Sequence, residues 1–228
     1  FNASTAPAFL GHLVTHDRRP KHAAIAITFE RLSWIDTAGI TILCNTVEWL
    51  KRRGVTVTYE RCDPARGAIA YLDDCGFFQS QNGKPLRPTA KLRSTTFPVR
   101  ALTKSEGFSW VIHEMVPWIA AKLQKDPRAL VNVSVSVREL LNNIADHSGE
   151  DIGCIHLQYY PRQDVIGIAV SDMGIGIPAA MRQAFQIPND SRAILRATER
   201  GVTSGKAAPY QARRKVENSR AGALCITA

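Results

Sequence analysis

The spacing of apolar positions divides the chain into a series of helices and strands. Near the start, Phe9, Leu10, Leu13 and Val14 suit either a short helix or an edge strand, followed by a polar turn from His16 to His22. The apolar run Ala23–Phe29 predicts a strand. From Thr37 to Arg53, Ile40, Leu43, Val47 and Leu50 recur on one helical side, with Thr37 as the cap and Gly54 as the stop. Residues 55–60 alternate as a second strand, and Pro64 opens a helix through Leu72 that ends at Cys75-Gly76. Strand–helix–strand–helix at these lengths predicts a small α/β unit.

Gln79 to Pro98 is polar, contains Pro85, Pro88 and Pro98, and has no long apolar period, so it predicts a linker. Glu106 to Lys125 then predicts one helix with Phe108, Val111, Ile112, Met115, Ile119 and Leu123 toward the core. A second helix follows, with Val133, Val137, Leu140, Leu141, Ile144 and Ser148 as its core stripe. Paired strands are expected at Ile152–Tyr160 and Val165–Asp172. Pro178 starts a short helix, and Asp190-Ser191 caps another through Arg200.

The polar side of the helix around residue 140 is unusual. It carries Glu139, Asn142, Asn143, Asp146 and His147, where a solvated face more often carries Lys, Glu, Gln or Arg. Asn, Asp and His compete for the backbone and weaken a helix, so their clustering calls for a reason. Glu139 and Asn143, four apart, sit one turn above the other. In the later strand, Ile166, Ile168, Val170 and Asp172 share a face, so Asp172 is expected to close a buried row with a carboxylate. Such a group needs a hydrogen-bond donor or a raised pKa. Gly174 and Gly176 next to it allow a sharp turn and close backbone approach. Together these features describe a pocket for a ligand with both donors and phosphates.

Glu139 through Asn143 to His147 resembles the N box of the GHKL ATPases, which include gyrases, histidine kinases and mismatch-repair ATPases. Asp172-Met173-Gly174-Ile175-Gly176-Ile177-Pro178 resembles their G1 box, in the right order and at a plausible distance. The resemblance implies ATP or ADP with Mg²⁺ as cofactors. Asn143 would hold the metal, and Glu139 would be the catalytic group polarising a water or hydroxyl. Asp146 and His147 belong to the same nucleotide-binding box. Asp172 would accept the adenine amino group, while Gly174 and Gly176 wrap the nucleotide. Mg²⁺ fits such a site because it takes few protein oxygens and completes its shell with phosphate and water.

Gly201-Val202-Thr203-Ser204-Gly205 lies where relatives keep the lid and the next phosphate box, which makes Thr203 a further candidate nucleotide contact. The Gly-x-Gly-x-Gly-Leu pattern expected there is absent. Either the box is lost, or a segment between about Ser204 and Lys215 is missing from this sequence. His113-Glu114-Met115-Val116-Pro117 briefly resembles a histidine-kinase phosphoacceptor box. Its Pro comes one residue early and no second dimerisation helix follows, so His113 is expected to be an ordinary exposed or half-buried residue.

The first half resembles STAS domains, the anti-sigma-antagonist and sulfate-transporter fold, over residues 20–80. The resemblance rests on Leu32 through Trp34-Ile35-Asp36-Thr37-Ala38-Gly39, on Arg53-Gly54-Val55-Thr56-Val57, and on Tyr71-Leu72-Asp73-Asp74-Cys75-Gly76-Phe77. In phosphorylatable members the residue before the Gly takes phosphate, and here it is Ala38. The expected fold class is therefore α/β (α+β): a STAS-like domain over 1–80, a linker over 81–98, and a GHKL-type α/β sandwich over 99–228 with an incomplete lid region.

Composition narrows the function. The 228 residues are 45% hydrophobic and 21% charged, which is ordinary for a globular chain. No apolar run reaches the length of a membrane span, and no signal peptide is visible, although the sequence opens at Phe1 rather than Met. Five cysteines without C-x-x-C spacing argue against zinc and a disulfide scaffold, which makes reduced thiols and a cytoplasmic location the expectation. The net charge of +9 invites a nucleic-acid reading, but no recognition motif accompanies it. Arg192, Arg196, Arg200, Lys206, Arg213, Arg214, Lys215 and Arg220 instead gather after the nucleotide motifs, where they would balance a triphosphate. The expectation is an ATP-binding regulatory signalling protein acting on a protein partner, as anti-sigma serine kinases do. It would phosphorylate that partner, switch its docking with nucleotide state, or hydrolyse ATP slowly. Intramolecular STAS–ATPase docking is expected, homodimerisation stays open, and neither nucleic acid nor membrane is a partner.

Overall fold

Asp36 begins the helix on which both halves of the fold rest. In the computed structural model, which describes residues 1–147, 149–199 and 202 (backbone only for 145–147), its carboxylate accepts from the Gly39 N–H at 2.7 Å. Asp36, not Thr37, is thus the cap of α2 (Thr37–Arg52). Thr37 lies inside the first turn and turns its hydroxyl toward Tyr160, 3.3 Å away. The helix ends at Gly54, whose φ of +76° takes the left-handed stop.

Around α2 the first half folds as expected into strand–helix–strand. Strands β1 (Ala24–Thr28) and β2 (Thr56–Glu60) are parallel neighbours, as a helical crossover requires. The ambiguous start is a helix, α1 (Ala6–Leu13). Pro64 lies in a turn, and α3 (Gly67–Asp74) begins after it, followed by α4 (Phe77–Asn82). Arg66 fixes this region by donating to the backbone carbonyls of Phe29, Glu30 and Leu32.

The stretch expected as a linker is tied down. Buried Asp73 accepts from the Leu86 and Arg87 N–H groups at 2.9 and 3.1 Å, and Arg87 pairs with Asp73 and Asp74. Strand β3 (Thr96–Thr103) already begins inside it.

The second half is an antiparallel sheet of order β3–β4–β5, with β4 (Ile152–Tyr160) and β5 (Val165–Asp172) at the expected positions. The expected helix over 106–125 is interrupted. It runs as α5 (Lys104–Trp110), a π-turn (Val111–Met115) and α6 (Val116–Leu123). The Val116 N–H bonds back to the Val111 carbonyl, five residues earlier. Pro117 explains the wider turn: it has no N–H, and its ring would crowd the His113 carbonyl in a regular helix. The turn shifts the register, so Trp110, Val111, Met115 and Ile119 form the core side. Phe108 and Ile112, expected inward, are exposed, and Phe108 lies under the Arg138 guanidinium at 4.1 Å.

After a 3₁₀ turn (Pro127–Leu130) comes α7 (Val131–His147), and beyond β5 lie α8 (Gly176–Phe185) and α9 (Asp190–Ala197). Asn189, one residue before the expected Asp190-Ser191 cap, accepts from the Arg192 N–H at 2.9 Å. The fold is mixed α/β with two small sheets among the described residues.

The three-stranded sheet is covered on both faces. On one, Val137, Leu141 and Ile144 of α7 pack with Ile155, Leu157, Ile166, Ile168 and Val170. On the other, α2 lies across all three strands. Val99 and Cys154 thereby join the hydrophobic core of the first half.

Candidate functional site

Strand register sets which side chains meet on the α7 face. Asp172 pairs with Gly153 across β5 and β4, so both project from the same face as Ile155 and Val170. Ile144 of α7 sits on Gly153: a Cβ there would collide with Ile144 Cδ1 and stand 3.2 Å from the Ser171 carbonyl oxygen. The absence of a side chain at Gly153 therefore lets α7 descend onto the strand opposite Asp172. This brings the end of β5 and the later turns of α7 to one end of the sheet.

Asn143, next to Ile144, is exposed, and Glu139, about 6 Å earlier along the helix axis, is half-buried. Asn142 between them is also half-buried. The polar stripe thus flanks the line of contact with the sheet. Asp146 and His147 continue α7 by their backbone; their side chains, and Thr203 with the basic residues beyond it, lie outside the described residues.

Asp172 differs from expectation in being exposed, with Ile166, Ile168 and Val170 half-buried rather than sealed. The reason is its place at the end of β5, an edge strand among the described residues. One carboxylate oxygen accepts from the Gly174 N–H at 2.6 Å, which closes a tight Asx turn. A carboxylate has about four lone-pair sites, so it keeps capacity for an amino donor from a ligand. Gly176 takes φ +77°, a conformation that strains any other residue and carries the chain from the turn into α8.

The donor set suits a hard cation only in part. Among the described residues no group of three His, Cys, Asp or Glu side chains could hold a metal by protein ligands alone. An ion beside Asn143 and Glu139 would take most of its ligands from phosphate and water, which is how Mg²⁺ is commonly held. His113 is exposed on the π-turn.

Sequence reasoning missed the residues that hold the site from behind. Glu150, just beyond α7, accepts at one oxygen from Arg18 at 3.0 Å, Arg53 at 2.6 Å and Trp49 Nε1 at 3.2 Å. Arg18 also donates to the Met173 carbonyl. Arg53 stacks over the Trp49 ring at 4.0 Å, and Arg52 pairs with Asp151 at 3.0 Å. On the α2 face of β4 lie Cys154, 3.5 Å from the Cys44 sulfur, then His156, then Gln158, which accepts from Tyr71 and Thr96. The hydrogen bond to Cys44, and then burial, keep the Cys154 thiol well above its ordinary pKa. His156 is fully buried, has no hydrogen-bond partner at either ring nitrogen, and is pushed down to about 4 by burial.

For the second buried side of α2 the available signal was the lack of charge from Thr37 to Val47. Thr41, Cys44, Asn45 and Thr46, opposite the predicted apolar stripe, are all buried. No family model, no curated protein and no solved structure matches the chain.

Proposed function

We propose that the chain is an ATP-binding regulatory signalling protein, a STAS-like module joined to a GHKL-type nucleotide domain, that acts on a protein partner. The observation that carries this reading is the placement of Asp172 opposite Gly153 beneath Ile144, at the end of the sheet where α7 carries Asn143. Two motifs separated in sequence thereby share one face, as a nucleotide site needs.

Mg-ATP would supply the transferable phosphoryl group. Asp172 would accept from the adenine amino group, and Gly174 and Gly176 would let the backbone approach the nucleotide. Asn143 would offer its side-chain oxygen to Mg²⁺. Glu139 would orient a hydroxyl of the partner, and in such transfers positioning supplies most of the catalysis.

A switch without chemistry is the second reading, and a specific observation favours it. Thr37, beside Ala38 at the STAS acceptor position, is buried, with its hydroxyl at Tyr160 of the sheet. A kinase half could not release its neighbour by phosphorylating a residue so placed. The STAS-like half then acts as a docked scaffold, with nucleotide state as the switch. No described helix is long and apolar enough to cross a membrane.

Incubation with γ-labelled ATP, with and without candidate partners, separates the readings. Label on a partner supports the kinase, free phosphate supports a slow ATPase, and ATP binding with neither supports the switch. Stoichiometric label on Thr37 would overturn the docked scaffold.

A further inference from the structure

The turn that presents Asp172 is held from the first half of the chain. Asn45, buried on α2, has its amide oriented so that the oxygen accepts from the Asp172 N–H at 3.2 Å and the Met173 N–H at 3.1 Å. The preceding residue is held too, since Ser171 Oγ donates to the Thr41 carbonyl at 3.0 Å. On the other side of the turn Arg18 donates to the Met173 carbonyl. Arg18 has φ +57°, an uncommon conformation for a residue other than Gly, and the same guanidinium reaches Glu150 just beyond α7. One first-half arginine thus spans the two loops that border the candidate site.

Two consecutive N–H groups converging on one oxygen fix the peptide plane between them. The plane between Asp172 and Met173 sets the direction in which the Asp172 side chain leaves the backbone. Among the described residues β5 has a strand neighbour only at β4, so no further described strand holds this plane. The acceptor comes instead from a helix that in sequence precedes the Asp172 turn by more than a hundred residues.

We infer that Asn45 is a positioning residue for Asp172, so that base recognition depends on α2 lying against the sheet. This inference rests on the proposed nucleotide site and specifies its regulation. A ligand or partner that lifts α2 from the sheet would release the Asp172 turn and lower nucleotide affinity. Conversely, bound nucleotide would hold α2 in place, because such coupling is reciprocal.

The test compares the full chain with Asn45→Leu, Asn45→Asp and Arg18→Met. ATP and GTP affinities are measured by calorimetry with Mg²⁺, and amide hydrogen exchange is followed at Asp172 and Met173. Asn45→Leu removes the acceptor at similar size. It should weaken ATP by about tenfold, shrink the preference for ATP over GTP, and speed exchange at both amides. Asn45→Asp keeps an oxygen facing both N–H groups and should restore the preference and slow exchange. Arg18→Met, at a part-exposed position, should weaken ATP in the same direction.

A merely structural role for Asn45 would lower stability without changing the ATP-to-GTP ratio. Unchanged ratio and unchanged exchange in Asn45→Leu overturn the inference, as does failure of Asn45→Asp to restore either. If Asn45→Leu does not fold, unchanged ATP affinity in folded Arg18→Met overturns it. Absence of ATP binding by the wild type is a different outcome: it removes the nucleotide site itself, while faster exchange in Asn45→Leu would still show the turn to be held by α2.

Discussion

Acidification should loosen this fold through one residue, His156. Its imidazole lies on the α2 face of β4, fully buried and with both nitrogens unpartnered, so protonation would place a cation where nothing receives it. Burial lowers its pKa from 6.5 to about 4. The unfolded chain therefore binds this proton more readily than the folded one. Stability is full above the unfolded value of 6.5 and falls as pH drops toward about 4. Linkage over that shift gives a loss of about 2 kcal/mol between neutral pH and pH 5, rising to about 3 kcal/mol at lower pH. Carboxylates titrate mainly below this window, so the upper part of it reports on histidine. Urea unfolding at pH 7 and pH 5 measures the loss, with His156→Leu as the control. The variant should remain nearly flat over the same interval. Equal losses in wild type and variant would refute the assignment of the pH dependence to His156.

Gly153→Ala should destabilise the protein by about 1–3 kcal/mol in denaturant unfolding, because the new methyl meets Ile144 and the Ser171 carbonyl. Asp36→Ala should lower stability by about 1 kcal/mol through loss of the α2 cap, whereas Thr37→Ala should leave that cap intact. Asn143→Ala, at an exposed position, should weaken Mg-ATP by about tenfold or more without changing the thermal melt. Unchanged affinity by calorimetry would remove Asn143 as the metal contact.

Much of the element pattern was legible because burial on one face leaves a period. The limits of β4 and β5 match expectation, although β4 is buried on both faces and shows no alternation. The α7 stripe was legible for the same reason through Val137, Leu141 and Ile144. Three kinds of feature were not. The π-turn at Val111–Met115 shifts the helical register within a continuous apolar pattern, so Phe108 and Ile112 read as core while standing in solvent. Caps depend on one φ/ψ change, and Asp36 and Thr37 are chemically equal candidates until the backbone is seen. The second buried face of α2 was hidden because Thr41, Asn45 and Thr46 count as polar. They are buried because their hydroxyls and amide find partners: Thr41 and Thr46 donate to the carbonyls four residues back, and Asn45 accepts from the β5 turn. The residues proposed to contact nucleotide were legible by type and order, but the exposure of Asp172 was not. It follows from β5 being an edge strand among the described residues, and edge position is a property of the assembled sheet.

Competition between ATP and GTP for the full chain, with Mg²⁺ present, tests the nucleotide site most directly. Asp172 accepts hydrogen bonds, the adenine amino group donates one, and the matching guanine O6 only accepts. An acceptor facing an acceptor leaves both unpaired, so GTP should bind weaker by about tenfold or more. The account predicts saturable ATP binding that GTP displaces poorly, with this preference reduced in Asp172→Ala. No ATP binding, or equal displacement by the two nucleotides, would contradict it.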